Sequence, residues 1–223
     1  MRINIAIDGP SASGKSTLAK ALAQRLDYTH IDTGAMYRAC ALIASDKELN
    51  ISDEENLVNS IKSYHMSFNN LGHICLNDVD VNDRIRTKEI DILTSKVSTL
   101  PKVRQKMVEY QQAMAKDKGF VLDGRDIGSV VLPSAELKIF QIASIEARAQ
   151  RRFDEYLKKG QNVNLDDIKK DIAERDERDQ LRSNSPLTKT SDAIEVDTSN
   201  LSIEEMVNFI YEKVLKLTQK EVL

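Results

Sequence analysis

The chain has 223 residues, 41% of them hydrophobic and 30% charged, with a net charge of −3. That length suits one domain carrying an insertion and can bury a substantial core. The slight acidity leaves no nucleic-acid footprint in the composition, and no apolar stretch approaches the length of a membrane span. Cys40 and Cys75 stand far apart and outline neither a disulfide framework nor a metal site, so reduced, buried thiols are expected. The N-terminus enters a strand at once; no secretory leader is expected, and the reading points to the cytoplasm.

Ile3-Asn4-Ile5-Ala6-Ile7 is a short β-branched run, read as a buried strand. Gly9-Pro10-Ser11-Ala12-Ser13-Gly14-Lys15-Ser16 follows and fits the phosphate-loop pattern G-x-x-x-x-G-K-S/T. Each fixed position has a physical task. Gly9 and Gly14 allow backbone geometry that a side chain would block. The loop N–H groups form an anion nest, Lys15 reaches the terminal phosphates, and the Ser16 hydroxyl can ligate Mg²⁺. The bland alternative is a glycine-rich turn that binds nothing. A chance match in a chain this long is on the order of 1%. Leu18, Ala19, Leu22, Ala23 and Leu26 recur behind the loop at helical spacing, which completes the strand–loop–helix setting and adds the helix dipole to the anion site.

Tyr28 to Ile31 reads as a second strand leading into Asp32-Thr33-Gly34, and Ala35, Met36, Ala39, Cys40 and Ile43 line one face of the next helix. Residues 52–63 look helical. Tyr64 to Phe68 and His73 to Leu76 flank Asn69-Asn70-Leu71-Gly72 as a hairpin, so about residues 60–100 are assigned to an inserted antiparallel subdomain. Pro101 opens a helix continued by Val103, Met107, Tyr110 and Met114 and ended by Gly119. Phe120 to Leu122 is a strand opening into Asp123-Gly124-Arg125-Asp126, and Leu137 to Ile142 is another. Ser144 and Ala147 begin a helix interrupted at Lys158-Lys159-Gly160. Asn164 caps the following helix, Ala193 to Val196 is the last strand, and Ser202-Ile203-Glu204-Glu205 is a capping box for the final helix, with Met206, Ile210, Val214 and Leu217 on its apolar face. Alternating strands and helices give an α/β fold: a parallel five-stranded sheet flanked by helices, with ligands beyond the C-terminal strand edges.

Two arginine clusters stand out in the last third. Arg148, Arg151 and Arg152 share one helix, and Arg175, Arg178 and Arg182 recur on the next, with Asp176 and Asp179 between them. A solvated, salt-bridged surface face is the plain reading. Beside a phosphate loop, guanidinium groups have a second use, because they can neutralise charge spread over a moving phosphoryl group, and one arginine can be worth about 10³–10⁵ in rate. The two helices could close as a lid that excludes water, joined by the flexible stretch from Lys158 to Asn162. Arg38 near the sheet edge could hold a second phosphate, and one acid of Asp123 and Asp126 could position Mg²⁺ through water. His30, His65 and His73 have no ligand spacing and read as incidental.

Taken together, IDGPSASGKST (7–17), DTGAMYR (32–38), SKVSTLPKVR (95–104), DGRDIGSVVLP (123–133) and ERDERD (174–179), with Arg182 and Pro186 downstream, resemble the bacterial cytidylate kinases along nearly the full chain. The resemblance implies transfer of the ATP γ-phosphate to CMP or dCMP in pyrimidine nucleotide metabolism, with Mg²⁺; because no exposed apolar stripe in the sequence calls for a partner, a monomer is expected. It implies a single P-loop kinase domain with a core at about 1–59, 101–145 and 183–223, an NMP-binding insertion at about 60–100 and a lid at about 146–182. Gly9, Pro10, Ser11, Ala12, Ser13, Gly14, Lys15, Ser16 and Thr17 would hold the ATP phosphates, with Ser16 on the metal. Arg38, Arg125 and Arg175 would hold the CMP phosphate, Asp179 the sugar, and Thr33 would lie beside them. Ser95, Arg104, Asp126 and Arg182 would read the base. Lys15 with the lid arginines Arg148, Arg152 and Arg178 would be catalytic. Thr33 often appears as Ser in the family, and Leu181 stands where many members carry a polar residue.

Two other readings are open to a chain with a phosphate loop. A nucleotide switch of the GTPase type needs an N-K-x-D segment and a D-x-x-G switch after a strand, and neither is supplied. A P-loop kinase of UMP or of a shikimate-like acceptor is opposed by the SKVSTLPKVR segment and the hairpin insertion.

Overall fold

Ile5, Ala6 and Ile7 are completely buried in the central strand β1 (Ile5–Asp8), as their β-branched pattern predicts. The computed structural model describes residues 1–158 and 160–219. The chain then runs α1 (Lys15–Leu26), β2 (Thr29–Asp32), α2 (Thr33–Asp46), α3 (Glu54–Lys62), β3 (Met66–Phe68), β4 (Ile74–Leu76), β5 (Val79–Asp80), α4 (Lys88–Val97), α5 (Pro101–Met114), β6 (Phe120–Gly124), β7 (Leu137–Ile142), α6 (Ile145–Lys158), α7 (Leu165–Leu181), β8 (Ile194–Asp197) and α8 (Ile203–Gln219).

Five of these strands form a parallel sheet in the order β2-β6-β1-β7-β8, and β3, β4 and β5 form a separate three-stranded one. β1 runs parallel to both β6 and β7, with Asp8 in register with Gly124 on one side and Phe140 on the other. That register is what builds the site. It sets the loops that leave β1 and β6 side by side at the C-terminal edge, where open parallel sheets bind ligands. Leu18, Ala19, Leu22 and Ala23 of α1 pack with Met206, Val207, Ile210 and Val214 of α8 against Ile3, Ile5, Ile7, Val121, Ile139 and Val196. Leu217, predicted on the same face of α8, lies one turn too far along and is exposed. The capping box at the start of α8 forms in both directions, Glu205 N–H to Ser202 Oγ at 3.2 Å and Ser202 N–H to the Glu205 carboxylate at 2.8 Å.

Chain contacts divide the protein into two compact units, residues 1–30 with 117–223, and residues 31–116. In the second unit, α2 is buried nearly all round and packs against α3, α4, α5 and β4. The hairpin expected at 64–76 is present, Met66 facing Leu76 and Phe68 facing Ile74, and a two-residue third strand, β5, extends it. The helix α4 was not read from the sequence. Only Ile90, Thr94 and Val97 bury on it, too thin a pattern to stand out, although Thr87 caps it well by accepting from the Ile90 N–H. Gly119 does not end α5, which stops at Met114. Gly119 instead takes a φ of +85° at the mouth of β6, where its N–H donates to the Ile3 carbonyl. Of the expected break at 158–160, Lys159 lies outside the described residues.

Gly9, directly after β1, passes close against the backbone of β7. With φ +153°, a Cβ built there would lie 2.0 Å from the Gln141 carbonyl oxygen of β7. Neither backbone can yield cheaply. Gly9→Ala is expected to lower the melting temperature by about 5–10 °C and to abolish nucleotide binding; unchanged thermal unfolding would show that the loop does not need this contact.

Candidate active site

The phosphate loop folds as its glycines require. Ala12 (φ +56°) and Gly14 (φ +92°) are left-handed, the conformation that alternates within anion nests. Gly14 is also the N-cap of α1, with no side chain on the first-turn donors. Within the loop, Ser11 and Ser13 are buried. The Lys15 ammonium is buried too and donates to the Pro10 carbonyl (2.6 Å) and the Ser13 hydroxyl (3.2 Å). Burial, followed by the nearby Arg125 charge, pushes its pKa well below the ordinary lysine value; the carboxylates of Asp123, Asp8 and Asp179 oppose that shift.

Those carboxylates come from three elements. Asp123 ends β6, accepts from the Ser16 hydroxyl at 2.7 Å through Oδ2, and meets His30 Nε2 at 2.7 Å through Oδ1. Burial works against its ionisation. The hydrogen bond and charge of His30, the Ser16 hydroxyl and Lys15 outweigh burial and hold it below the usual carboxylate range. His30, read as incidental from its spacing, therefore orients a central acid; the pairing runs between strands and has no signature along the chain. Asp8 ends β1 and accepts the N–H groups of Ile127 (2.8 Å) and Gly128 (2.7 Å). It thereby anchors the backbone immediately after Asp126, where residues 127–131 make one turn of π-helix.

Ser16 and Asp123 present hard oxygen atoms beside the loop. Among the described residues no group of three His, Cys, Asp or Glu side chains could cage a metal ion. That donor set fits a divalent cation such as Mg²⁺, which takes one or two protein oxygens and draws the rest of its shell from phosphate and water.

Four of the sequence-predicted acceptor residues meet in this unit. Arg125 Nε donates to Asp179 Oδ2 at 2.7 Å, and Arg182 lies 3.9 Å from both Asp126 and Asp179. Burial raises the Asp179 pKa, but Arg125 first, then Arg175 and Arg182, bring it below the ordinary value. Leu181, beside them in sequence, points to solvent at 74% exposure.

The arginine helices do reach the phosphate loop. Arg148 of α6 is buried and donates to the Ser11 carbonyl (3.0 Å), the Ala143 carbonyl (3.0 Å) and the Asp176 carboxylate. Arg151 donates to the Ser13 carbonyl (3.1 Å) and the Thr198 carbonyl, and Gln141 also donates to Ser13. Arg152 Nε donates to the Tyr156 hydroxyl, and the exposed Arg178 to the Glu174 carbonyl of its own helix. Asp8, Gln141, Arg151, Asp176 and Thr198 were not singled out as site residues. Asp8, directly before Gly9, Arg151, inside the first arginine cluster, and Asp176, inside the ERDERD segment, carried a signal along the chain; Gln141 and Thr198 carried none.

In the second unit, Thr33 is buried in the first turn of α2, which the Asp32 carboxylate caps. Arg38 pairs with Asp91 and donates to the Ile85 carbonyl, while Ser95 donates to the Asp91 carbonyl. Arg104 is buried, donates to the Ser98 carbonyl at 3.0 Å and stacks 5.4 Å from the Tyr37 ring centre.

A parallel sheet, a phosphate loop with a sealed lysine and a Ser–Asp pair beside it define the P-loop class of nucleotide-dependent kinases. Solved structures with this fold include an uncharacterised protein from Eubacterium ventriosum (TM-score 0.54, 13% identity, 97% of this chain and 99% of that one) and a gluconokinase from Sinorhizobium meliloti (TM-score 0.52, 13% identity, 99% and 96%). The chain belongs to the cytidylate kinase family: the family profile, described as cytidylate kinase, matches residues 5–216. It is 46% identical over 223 residues to the cytidylate kinase of Streptococcus gordonii, covering 98% of this chain and 99% of that protein, and 49% identical over 215 residues to that of Bacillus cereus, covering 94% of each.

Asp8 carries a pH signature. Burial, against the two backbone donors, lifts its pKa from 3.8 to about 6, with Asp126 adding to the rise and Lys15 opposing it. The folded state thus binds this proton more tightly than the unfolded one. Its stabilising contribution is present below the ordinary 3.8 and is lost as pH rises through about 6. A carboxyl-carbon NMR titration should place the Asp8 midpoint near 6; an ordinary midpoint would contradict the burial argument.

Proposed function

We infer that the protein transfers the γ-phosphate of ATP to CMP, giving CDP and ADP, and that dCMP is accepted in the same way. The observation that carries this reading is the joint presence, in one compact unit, of the sealed Lys15 loop and the Arg125–Asp126–Asp179–Arg182 cluster. Membership of the cytidylate kinase family supports it over residues 5–216.

The acceptor phosphate oxygen attacks the γ-phosphorus in line, with no covalent intermediate. Lys15 and the N–H groups of residues 13–17 hold the donor phosphates. Ser16, oriented by Asp123, would hold Mg²⁺, which when bound offsets charge on the β- and γ-oxygens. Arg152 and Arg178 are the proposed neutralisers of the transferring group, while Arg148 serves the loop. Arg38, Arg125 and Arg175 would hold the CMP phosphate, Asp179 the sugar beside Thr33, and Ser95, Arg104, Asp126 and Arg182 the base. The N4 amino group of cytosine can donate to the Asp126 carboxylate; uracil would set its O4 acceptor against that carboxylate and leave buried polar groups unmatched. We further propose a monomer acting in the cytoplasm, one kinase domain in which residues of about 60–100 serve the acceptor and those of about 146–182 close as a lid. No helix among the described residues is long and apolar enough to cross a membrane.

A coupled ADP-release assay over CMP, dCMP and UMP tests the reading directly: CMP and dCMP should turn over, UMP poorly, and equal use of UMP would overturn it. Lys15→Ala should cut kcat about 10²–10³-fold with the fold intact, a loss of the size seen when one charge-stabilising donor is removed; near-normal turnover would remove the loop from the mechanism. Asp126→Asn should shrink the CMP-over-UMP preference by about 10-fold, the worth of one hydrogen bond to a charged group. An unchanged preference would mean that the base is read elsewhere.

A further inference from the structure

Ser11 has both of its backbone groups taken by the arginine helices. Its N–H donates to Asp176 Oδ1 at 2.9 Å, and its carbonyl accepts from Arg148 Nη1 at 3.0 Å. The same Arg148 nitrogen donates to the other oxygen of Asp176. Ser11, Arg148 and Asp176 are at most 9% exposed, so this closed ring of hydrogen bonds forms away from water. The next residue, Ala12, sits at φ +56°, a left-handed conformation that is unfavourable for a residue with a Cβ. Something must hold it there. The loop's own sequence does not, because residue 12 is an alanine and not a glycine.

Asp176 has a second connection. Three residues further along α7, Asp179 accepts from Arg125 of the loop after β6. One turn of one helix therefore grips the donor loop with one carboxylate and the acceptor cluster with the next. Arg148 and Asp176 neutralise each other, so their use is not to add positive charge for a phosphate.

We propose that Arg148 and Asp176 are a positioning pair: they clip Ser11 so that the phosphate loop keeps its nest conformation, and through α7 they couple donor binding to the acceptor residues. The clip holds peptide 10–11 and peptide 11–12 from outside the loop, which leaves the left-handed turn at Ala12 as the loop's shape before nucleotide arrives. Preorganisation of this kind lowers the ordering cost of binding. Since α7 cannot shift without breaking the Ser11 contacts, a loaded loop also steadies Asp179 and Arg125, and linkage requires the converse.

The coupling part rests on the acceptor being CMP, as proposed above; the loop part does not. The experiment is a calorimetric titration of Mg²⁺ and a non-hydrolysable ATP analogue, without acceptor, into the wild type, Asp176→Ala, Arg148→Ala and the double variant. Each single variant should weaken the analogue about 10- to 100-fold, and the double variant should be no worse than the weaker single, because the pair acts as one unit. Multiplying losses, or unchanged affinity, overturns the clip. Asp176→Asn keeps the shape and an acceptor for Ser11 but loses the ion pair, and gives the same readout where the alanine variant does not fold; wild-type analogue affinity in Asp176→Asn also overturns it. Arg148→Lys, which retains the charge, should recover part of the affinity lost in Arg148→Ala, and no recovery counts against the ion pair. For coupling, the ratio of CMP Kd without and with the analogue should exceed one in the wild type and fall to one in Asp176→Ala. A wild-type ratio of one, or a ratio that survives the substitution, overturns the coupling. Failure of the wild type to bind CMP at all would sink the proposed acceptor while leaving the analogue titration to decide the clip.

Discussion

A lysine ammonium sealed at the C-terminal edge of a parallel sheet is the constraint that orders the larger unit. Taking that charge out of water is expensive, and the cost is tolerable only with opposite charge and hydrogen bonds close by. Lys15 has both. Its ammonium donates to the Pro10 carbonyl and the Ser13 hydroxyl, and the carboxylates of Asp8, Asp123 and Asp179 act on it from β1, β6 and α7. Each of those acids has its own partners: two backbone N–H groups for Asp8, Ser16 and His30 for Asp123, Arg125 for Asp179. The result is a set of opposed charges, each with its own partner, gathered around the loop.

The register of the sheet delivers these groups to one place. Because Asp8 stands level with Gly124, the residues that follow the two strands emerge together, and Asp8 can reach past Asp126 to the N–H groups of Ile127 and Gly128. The donor loop and the Arg125–Asp126 segment are thus parts of one hydrogen-bonded edge. The loop is gripped from its outer side as well. Arg151 and Gln141 take the Ser13 carbonyl, Arg148 the Ser11 carbonyl, and Asp176 the Ser11 N–H. Arg148 and Arg151 of α6 are therefore spent on backbone and not on solvent, which offsets the crowding of like charges on that helix.

Much of this was legible along the chain. The strand–loop–helix at the start, the hairpin at 64–76 and the helix caps at Asn164 and Ser202 rest on local patterns, and the structure contains them; Arg125, Asp126, Asp179 and Arg182 were named one by one from matched motifs, and their meeting is a finding of the fold. What escaped has a common physical reason. Helix α4 buries only three side chains, and β5 is two residues long, so neither produces a periodic signal. Gly119 looks like a helix stop because glycine serves any left-handed position, and only the partner of its N–H, Ile3, shows that it opens a strand. His30 gains its partner across a strand boundary, 93 residues away along the chain.

The sequence by itself determined the chemistry on offer: a glycine-bounded phosphate-loop motif, a lysine, a hydroxyl of the type that can ligate a divalent cation and a surplus of guanidinium groups near the end, because each of these is written in a short segment whose spacing does the work. Only the tertiary structure decided how the charges are spent. Arg148 and Arg151 could not be told from Arg152 and Arg178 by position on their helices, yet the first two are committed to loop carbonyls and the others lie against their own helices. An arginine's role depends on which acceptor lies within about 3 Å of its fork, and those acceptors, Ser11, Ser13 and Thr198, come from distant stretches of chain that only the folded sheet brings within reach.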